Sequence, residues 1–378
     1  MKFLFIVQGE GRGHLTQALT LEDMLRRNGH EVVEVLVGKC SSRTLPGFFN
    51  RNIHAPVKRF LSPNFLPSPK NKRAHLGRSI LYNLMKLPVY INSMFYIRKR
   101  IEESEADVVI NFYELLTGLS YAFLHPSVPY ICVGHQYLFL HPDFEFPNKN
   151  GINLFMLRFF TRMTSVCCSK RIALSFRKMD DALQERIVVA PPLLRSELAS
   201  LQPETGDYIH GYMVNSGFAD SVLDYHFRHP NVKMHFFWDK AGAVEDTEIT
   251  ENLHFHQLDD SKFLDYMASC KAYASTAGFE SICEAMYLGK PVLMVPAHIE
   301  QDCNAYDAEL SGAGIIAESF EFDRLQEFAE TFRPNRNFVY WVNSCENLVM
   351  NELVKETNQQ HSIFALSTFF NFFNYETK

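Results

Sequence analysis

The sequence feature that most constrains the fold is a short apolar run at the start of the chain, followed at once by glycines and a helical pattern. Residues 3–7 are all apolar, which is typical of a strand buried on both faces of a parallel sheet. Apolar residues recur at helical spacing over 15–25, and a second strand pattern occupies 32–37. The turn between the first strand and the helix contains three glycines, Gly9, Gly11 and Gly13. The sequence therefore predicts a strand, turn, helix and strand in an open α/β sheet.

The same alternation of strand and helix patterns runs through both halves of the chain. In the first half, further strands are predicted over 107–112 and 130–133, and helices near 78–104 and 151–164. The second half has predicted strands over 208–214, 232–237, 253–256, 271–274 and 291–295. A polar, proline-containing stretch that starts at residue 188 and runs to residue 206 indicates an interdomain link.

We therefore expect an α/β protein with two Rossmann-like, doubly wound parallel-sheet domains that face each other across a cleft. A chain of 378 residues is long enough for two such domains. The N-terminal domain is predicted over 1–195, followed by a linker over 196–206. The C-terminal domain is predicted over 207–335, and a helical, aromatic segment over 336–378 is expected to pack back on the N-terminal domain.

Charge is divided unevenly between the two halves. Residues 1–178 carry 24 Lys and Arg against 12 Asp and Glu, whereas residues 179–378 carry 13 against 31. No acidic residue occurs between Glu34 and Glu102, where basic and apolar residues alternate. Such a segment favours an anionic membrane surface as a partner, and an ordinary solvated face is the alternative. Nucleic acid is not expected, because no binding motif accompanies the charge.

Composition argues against several other classes of protein. The apolar run at residues 3–7 is shorter than the core of a signal peptide, and no stretch approaches ~20 uninterrupted apolar residues. The eight cysteines form no Cys-x-x-Cys pair. We therefore expect reduced, mostly buried thiols, no metal site, and a cytoplasmic protein that associates peripherally with the inner face of the membrane.

The glycine turn matches a dinucleotide-binding fingerprint only in part. Gly9 and Gly11 match its first two glycines, but His14 takes the third position, and the second strand ends without an acidic residue. We therefore do not expect NAD or FAD. A neutral imidazole at the start of a helix, beside the carboxyl end of a strand, can instead accept a proton from a hydroxyl. The alternative is that His14 only caps the helix.

The second half contains an ordered set of small, polar and acidic residues over 275–304. The strand that ends near residue 274 runs into a turn of small residues, and a helix is predicted to start near Gly278. The free N–H groups and the dipole of such a helix suit a pyrophosphate. Glu284, nearly two turns along, can accept hydrogen bonds from a ribose diol. Gln301 and Asn304 follow the next strand and carry amide groups suited to sugar hydroxyls.

This set resembles the donor-binding region of inverting GT-B glycosyltransferases. The resemblance is closest to the N-acetylglucosaminyltransferases that make the lipid-linked peptidoglycan precursor, and more distant to UDP-glucuronosyl- and UDP-glucosyltransferases. It implies a hexosyltransferase with a nucleotide-diphosphate donor, a UDP-sugar. It assigns donor binding to Ser216, Leu258, Thr276, Gly278, Ser281, Glu284, Gln301 and Asn304.

The resemblance also implies that His14, in the glycine turn, is the catalytic base. Plant relatives pair this histidine with an aspartate, whereas here Asn111 occupies that position and Glu114 lies three residues further on. Either side chain is a candidate for orienting the imidazole. Retaining GT-B enzymes carry a glutamate eight residues before the ribose glutamate, where this chain has Thr276, so inversion is expected. The reaction is expected to need neither a metal ion nor a cofactor.

The sequence therefore favours transfer of a sugar to an acceptor hydroxyl. The basic segment makes a lipid-linked acceptor a candidate. Two alternatives share the architecture. One is a nucleotide-sugar epimerase, which needs additional acid and base carboxylates. The other is a catalytically silent nucleotide-sugar-binding protein, for which Asn111 is the main argument, because an amide cannot stabilise an imidazolium as a carboxylate does.

Overall fold

Two seven-stranded sheets organise the part of the chain that the structure describes. The computed structural model describes residues 1–39, 45–63, 83, 86–148, 151–213, 216–238 and 246–358. Sheet A has the strand order β3-β2-β1-β4-β5-β6-β7, with all neighbours parallel. The order reverses between β1 and β4, so the loops after these two strands flank a crevice. Its strands are β1 (Lys2–Gln8), β2 (Glu31–Gly38), β3 (Val57–Phe60), β4 (Val108–Phe112), β5 (Tyr130–Gly134), β6 (Lys170–Leu174) and β7 (Ile187–Ala190).

Helices cover both faces of sheet A because its central strands are apolar on both faces. Phe3 and Phe5 of β1 belong to a core cluster that includes the apolar side of α1. Leu4 and Ile6, which point to the opposite face, pack in a second cluster with residues of α3. The helices are α1 (Arg12–Arg27), α2 (Gly47–Asn52), α3 (Leu87–Glu103), α4 (Leu115–Leu124) and α5 (Gly151–Thr164).

Sheet B has the order β10-β11-β9-β8-β12-β13-β14. Its edge strand β10 pairs antiparallel with β11, and the other neighbours are parallel. Its strands are β8 (Tyr208–Met213), β9 (Lys233–Trp238), β10 (Thr247–Thr250), β11 (Leu253–Gln257), β12 (Ala272–Ser275), β13 (Val292–Met294) and β14 (Gly314–Ile316). The helices of this half are α6 (Ala219–Arg228), α7 (Asp260–Ser269), α8 (Phe279–Tyr287), α9 (Ile299–Leu310), α10 (Phe322–Thr331), α11 (Arg336–Asn343) and α12 (Cys345–Asn358).

The predicted architecture of two doubly wound α/β domains is confirmed. The predicted strands agree closely with the observed ones, because continuous apolar runs mark strands that are buried on both faces. The predicted link starting at residue 188 is wrong at its beginning, since residues 187–190 form β7. Strands β3, β6, β7, β10 and β14 were not predicted, and all of these except β6 lie at sheet edges, where strands are short.

The last two helices touch the N-terminal half of the chain. Lys170 in β6 donates to a carboxylate oxygen of Glu352 in α12 at 2.9 Å. The indole N–H of Trp341 in α11 donates to the carbonyl oxygen of Ser175 at 3.0 Å. Residues 359–378 of the predicted helical segment lie outside the described residues. Within the part of the chain that is described, no helix combines the length and the apolar character needed to cross a bilayer.

Candidate active site

The glycine turn lies at the carboxyl end of β1 and packs closely against both halves of the chain. The N–H of Gly9 donates to the carbonyl oxygen of Gly38 at 2.8 Å, and a Cβ on Gly9 would lie 2.6 Å from Val37 Cγ1. A Cβ on Gly13 would lie 2.7 Å from the carboxyl carbon of Glu280, the second residue of α8. A side chain at Gly9 would meet the backbone of Gly38, whereas one at Gly13 would force the Glu280 carboxylate to move. At Gly11, which precedes α1, an added Cβ would meet open space.

His14 lies in the first turn of α1 and is only 9% exposed. Its ring stacks on Tyr113 with the ring centroids 5.5 Å apart. Nδ1 lies 3.4 Å from Gln17 Oε1, and Nε2 lies 3.5 Å from Gln136 Nε2. Burial lowers the pKa of His14, and the charge of Glu300 and the Gln17 contact oppose this shift. The imidazole is therefore neutral near pH 7, as a proton acceptor must be.

The Asn111 side chain bonds to the backbone and forms no hydrogen bond with His14 among the described residues. Its Nδ2 donates to the carbonyl oxygens of Glu114 at 3.2 Å and Thr164 at 2.8 Å. Its Oδ1 accepts from the N–H of Glu114 at 3.0 Å. These bonds hold a turn in which Tyr113 adopts a left-handed φ of 60°. The prediction that Asn111 orients the imidazole is therefore corrected, because both ends of the Asn111 amide bond to backbone groups instead.

Glu114 caps α4 from a fully buried position and likewise does not bond to His14 in the described structure. Its Oε1 accepts from the N–H of Leu116 at 3.1 Å and from the hydroxyl of Ser62 at 2.6 Å. Burial raises the pKa of Glu114 to about 7, and these hydrogen bonds only partly offset the shift. The prediction that Glu114 supports the base is corrected in the same way, since this carboxyl serves the start of α4.

Helix α8 begins at the carboxyl end of β12 with its first N–H groups uncapped. Gly278 is the N-cap residue and, as a glycine, makes no side-chain cap hydrogen bond. The hydroxyl of Thr276 is buried and has no hydrogen-bond partner among the described residues. Ser281 turns its hydroxyl back to the carbonyl oxygen of Gly278 at 3.2 Å. The free N–H groups, the helix dipole and the Thr276 hydroxyl together suit an anion such as a phosphate.

Glu284, the predicted ribose ligand, is 3% exposed on α8 and pairs with an arginine. Nε and Nη2 of Arg195 both donate to Glu284 Oε1, at 2.8 and 2.6 Å. Arg195 also lies 3.7 Å from Asp260, which pairs with Arg12 across the two halves at 3.0 Å. Burial raises the pKa of Glu284, and Arg195 opposes this shift. Both bonds go to Oε1, so a ribose hydroxyl can bond to Oε2 of Glu284 while Arg195 keeps its own hydrogen bonds.

Gln301 and Asn304 lie on α9, beside the start of α8. Gln301 Oε1 accepts from the N–H of Ala297 at 2.9 Å. Asn304 Nδ2 donates to the carbonyl oxygen of Ala277 at 3.3 Å, and its Oδ1 is buried without a partner in the described residues. Ala277 adopts a left-handed φ of 60°, so Asn304 braces a strained residue of the turn before α8. Both amides thus organise the loops that begin α8 and α9.

The other two predicted donor contacts lie in loops at the same edge of sheet B. Leu258 follows β11 and is half-buried against the core. Ser216 begins a short 3₁₀ turn, Ser216–Phe218, after β8, and its neighbour Asn215 lies outside the described residues. The parallel strands of sheet B bring these loops and the start of α8 to one edge of the sheet.

Four side chains near His14 were missed by sequence reasoning. Gln17 donates to Glu280 in α8, and Gln136 Nε2 donates to Oε1 of Glu300 in α9 at 2.9 Å. Burial raises the pKa of Glu280 to about 7. Gln17 carried a signal, because it follows His14 by three residues and so lies on the same side of α1. Gln136, which follows β5, comes to the site through the fold of sheet A, whereas Glu280 and Glu300 come there only through the packing of the two halves.

Comparison with protein families decides the class of this chain. The model of glycosyl transferase family 1 matches residues 1–332. The chain belongs to glycosyl transferase family 1. No curated protein matches the sequence of this glycosyltransferase.

Solved glycosyltransferases share its fold over almost the whole chain. LpCGTa in complex with UDP is 14% identical, with a TM-score of 0.61 over 95% of this chain and 99% of that one. UGT89C1 of Arabidopsis thaliana, complexed with quercetin, is 16% identical, with a TM-score of 0.60 over 94% and 99%. UGT2 of Phytolacca americana, complexed with UDP-2-fluoro-glucose and pterostilbene, is 12% identical, with a TM-score of 0.58 over 95% and 100%. This glycosyltransferase therefore has the GT-B fold.

Proposed function

We propose that this glycosyltransferase transfers a hexose from a UDP-sugar to an acceptor hydroxyl, with inversion at the anomeric carbon. The observation that carries the proposal is the close approach of α1 and α8 at their first turns, where Gly13 lies against Glu280. His14 and the start of α8 therefore lie close to each other, and burial keeps His14 neutral near pH 7. A diphosphate favours a free helix N-terminus, and a base beside it can take the acceptor's proton.

In this proposal the donor binds along the carboxyl edge of sheet B. Its diphosphate accepts hydrogen bonds from the N–H groups that follow Gly278 and from the buried hydroxyl of Thr276. The ribose diol donates to Glu284, whose carboxylate Arg195 helps to keep ionised. The remaining contacts follow the resemblance to inverting GT-B enzymes: the uracil at Leu258, a second phosphate contact at Ser216, and the sugar at Gln301 and Asn304.

The chemical step is a single displacement. The acceptor oxygen attacks the anomeric carbon from the face opposite the diphosphate, and its proton passes to Nε2 of His14. The bond from the anomeric carbon to the phosphate oxygen breaks, and UDP leaves with the electron pair. The positive end of α8 stabilises the negative charge on UDP, a role that a metal ion has in other enzymes. Thr276 supports inversion, because its hydroxyl cannot replace the carboxylate of retaining relatives.

A lipid-linked acceptor at an anionic membrane is supported by one exposed surface of the N-terminal half. Helices α3 and α5 both pack against α4 and leave large apolar side chains in solvent. Helix α5 carries Arg158 and Arg162 and no acidic residue. Apolar groups beside arginines suit the interface of an anionic bilayer. We define the α3–α5 surface by Leu87, Val89, Ile91 and Phe95 of α3 and Ile152, Phe155, Met156 and Phe159 of α5.

The basic segment that first indicated a membrane supports membrane binding less than its charge suggested. Lys58 and Arg100 pair with Glu34 at 2.7 and 2.8 Å, so these two cations stabilise the fold. Residues 64–82, which contain several of the other basic residues, lie outside the described residues. The proposal of membrane binding therefore depends on the α3–α5 surface.

Turnover with a panel of UDP-sugars and candidate hydroxyl acceptors, followed as release of UDP, tests the proposed chemistry. We expect His14→Ala to lower turnover about 10²–10⁴-fold, the usual size of general-base catalysis. UDP affinity, measured by calorimetry, should stay unchanged because the other half of the chain holds the nucleotide. His125→Asn is the matched control, since His125 is exposed at the end of α4 with a left-handed φ of 47° that Asn tolerates.

Three results would contradict parts of this proposal. Near-normal turnover of His14→Ala would exclude His14 as the base. A product with the anomeric configuration of the donor, seen by NMR, would exclude inversion. No binding of any UDP-sugar to the wild-type protein would contradict the proposal as a whole.

Sedimentation with vesicles tests the α3–α5 surface. We expect binding to phosphatidylglycerol vesicles that weakens with salt, as screened charges require, and little binding to phosphatidylcholine. Replacing Phe95 and Phe155 together by Ser should weaken binding by about tenfold or more, since each buries apolar area in the bilayer. Phe227→Ser is the control, because Phe227 lies on α6, away from the α3–α5 surface, and is at least as exposed as Phe95 and Phe155. Equal binding to both vesicle types, or binding to neither, would contradict docking on an anionic membrane.

A further inference from the structure

We propose that two carboxylates of the C-terminal half, Glu280 and Glu300, set the tautomer of His14 through Gln17 and Gln136. They would then be positioning residues for the base. This inference rests on the proposed function, and it adds that the half of the chain that binds the donor also prepares the base on the other half.

The first arm runs from Glu280 through Gln17 to Nδ1 of His14. Gln17 Nε2 donates to Glu280 Oε1, and the other end of the same amide, Oε1, lies 3.4 Å from His14 Nδ1. An ionised carboxylate only accepts hydrogen bonds, so it requires the NH₂ end of the amide to face it. The amide oxygen then faces the ring and can only accept from an N–H. This arm therefore places the proton of the neutral imidazole on Nδ1.

The second arm runs from Glu300 through Gln136 to Nε2 of His14. Gln136 Nε2 lies 2.9 Å from Glu300 Oε1 and 3.5 Å from His14 Nε2. The NH₂ group has two hydrogens, so it can donate to the carboxylate and to an unprotonated ring nitrogen at once. Both arms thus give the same tautomer, with the proton on Nδ1 and the lone pair on Nε2. Nε2 then accepts the acceptor's proton when the acceptor hydroxyl displaces the long 3.5 Å contact from Gln136.

Both arms exist only while the two halves of the chain are in contact. Glu280 and Glu300 lie in the first turns of α8 and α9, the helices whose starts frame the proposed donor site. Gly13 leaves space for the Glu280 carboxylate, because a Cβ at this position would collide with it. Gln17 is 1% exposed and Gln136 is 7% exposed, so water competes little for these hydrogen bonds. Closure of the cleft over the donor would therefore also select the base's tautomer.

The arrangement adds a dependence on pH at Glu280. Burial, Glu284 and Glu300 raise the pKa of Glu280 to about 7, and its own backbone N–H and Gln17 oppose the shift. Above this pH the carboxylate only accepts, and the Gln17 amide is held in the orientation described. Below it, a carboxyl O–H can donate to the amide oxygen of Gln17 and let the amide turn.

Nitrogen NMR of the full chain with ¹⁵N-labelled histidine at pH 8.5 measures the tautomer directly. The His14 signals are assigned by their loss in His14→Ala. We expect the wild type to carry its proton on Nδ1, and Glu280→Gln, whose amide can face Gln17 either way, to show a mixture with the Nε2–H form. Gln17→Met removes the same arm from α1 and should give the same mixture. Glu327→Gln, at an exposed carboxylate on α10, is the control and should leave His14 unchanged.

Kinetics separate this role from a direct contact with the donor. Glu280→Gln should lower kcat about two- to tenfold, the effect of one neutral hydrogen bond on the population of the reactive tautomer, with little change in the KM of the donor. A wild-type His14 spectrum in Glu280→Gln, Glu300→Gln and Gln17→Met would overturn the inference even in an active enzyme. A raised donor KM with an unchanged tautomer would overturn it as well, since Glu280 would then be a donor contact. If the wild type transfers no sugar, the proposed function fails while the NMR result still decides the tautomer.

Discussion

Replacing Gly13 with alanine tests whether α1 and α8 meet in solution as they do in the structure. The new Cβ would lie 2.7 Å from the carboxyl carbon of Glu280 and 3.0 Å from its Oε1, so the carboxylate has to move. The hydrogen bond from Gln17 is then lost, which costs about 1.5–3 kcal/mol for a bond to a charged group. Alanine in place of glycine stabilises a helix by about 0.5–1 kcal/mol. The expected net loss of stability is about 0.5–2.5 kcal/mol.

Thermal unfolding of the wild type, Gly13→Ala, Glu280→Ala and the double variant measures this balance. Since ~1 kcal/mol shifts the Tm of a domain of 150–250 residues by about 2–4 °C, Gly13→Ala should lower the Tm by about 1–10 °C. In the Glu280→Ala background the collision is absent, and the same substitution should raise the Tm by about 1–4 °C. An equal effect of Gly13→Ala in both backgrounds would refute the contact between the two helices.

Two further predictions concern buried carboxylates. Glu284→Ala should weaken UDP binding about ten- to hundredfold, the size of a lost charge-assisted hydrogen bond, and an unchanged affinity in calorimetry would remove Glu284 from the donor site. Burial raises the pKa of Glu114 from 4.5 to about 7, so the folded protein holds this proton more tightly than the unfolded chain, and stability is lost as pH rises through this range. Glu114→Gln should therefore stabilise the protein at pH 8 by up to about 3 kcal/mol and far less at pH 4.5. Thermal unfolding at both pH values checks this, and a variant with the wild-type pH dependence would contradict the raised pKa.

Patterns of neighbouring residues, namely apolar runs and glycine turns, made much of the fold predictable from the sequence. Strands such as β1 and β5 contain continuous apolar runs, which mark strands covered on both faces. Glycines and small residues at Gly9 and Gly278 mark the turns from strand to helix at the carboxyl edges of the two sheets. The four edge strands β3, β7, β10 and β14, and β6 beside β7, were not predicted, since short strands of three to five residues give a weak pattern.

By itself, the sequence determined the two α/β domains and where each presents a helix start, because apolar periodicity and glycine turns act within a few residues along the chain. Only the tertiary structure decided which side chains meet there. The expected strand order puts Asn111 and Glu114 near His14, yet both side chains form hydrogen bonds with the backbone that follows β4. Instead, two glutamines connect the His14 ring to Glu280 and Glu300, which lie more than a hundred positions away in the sequence. A hydrogen bond depends on distances of a few tenths of an ångström, which the packing of two domains sets and no local pattern encodes.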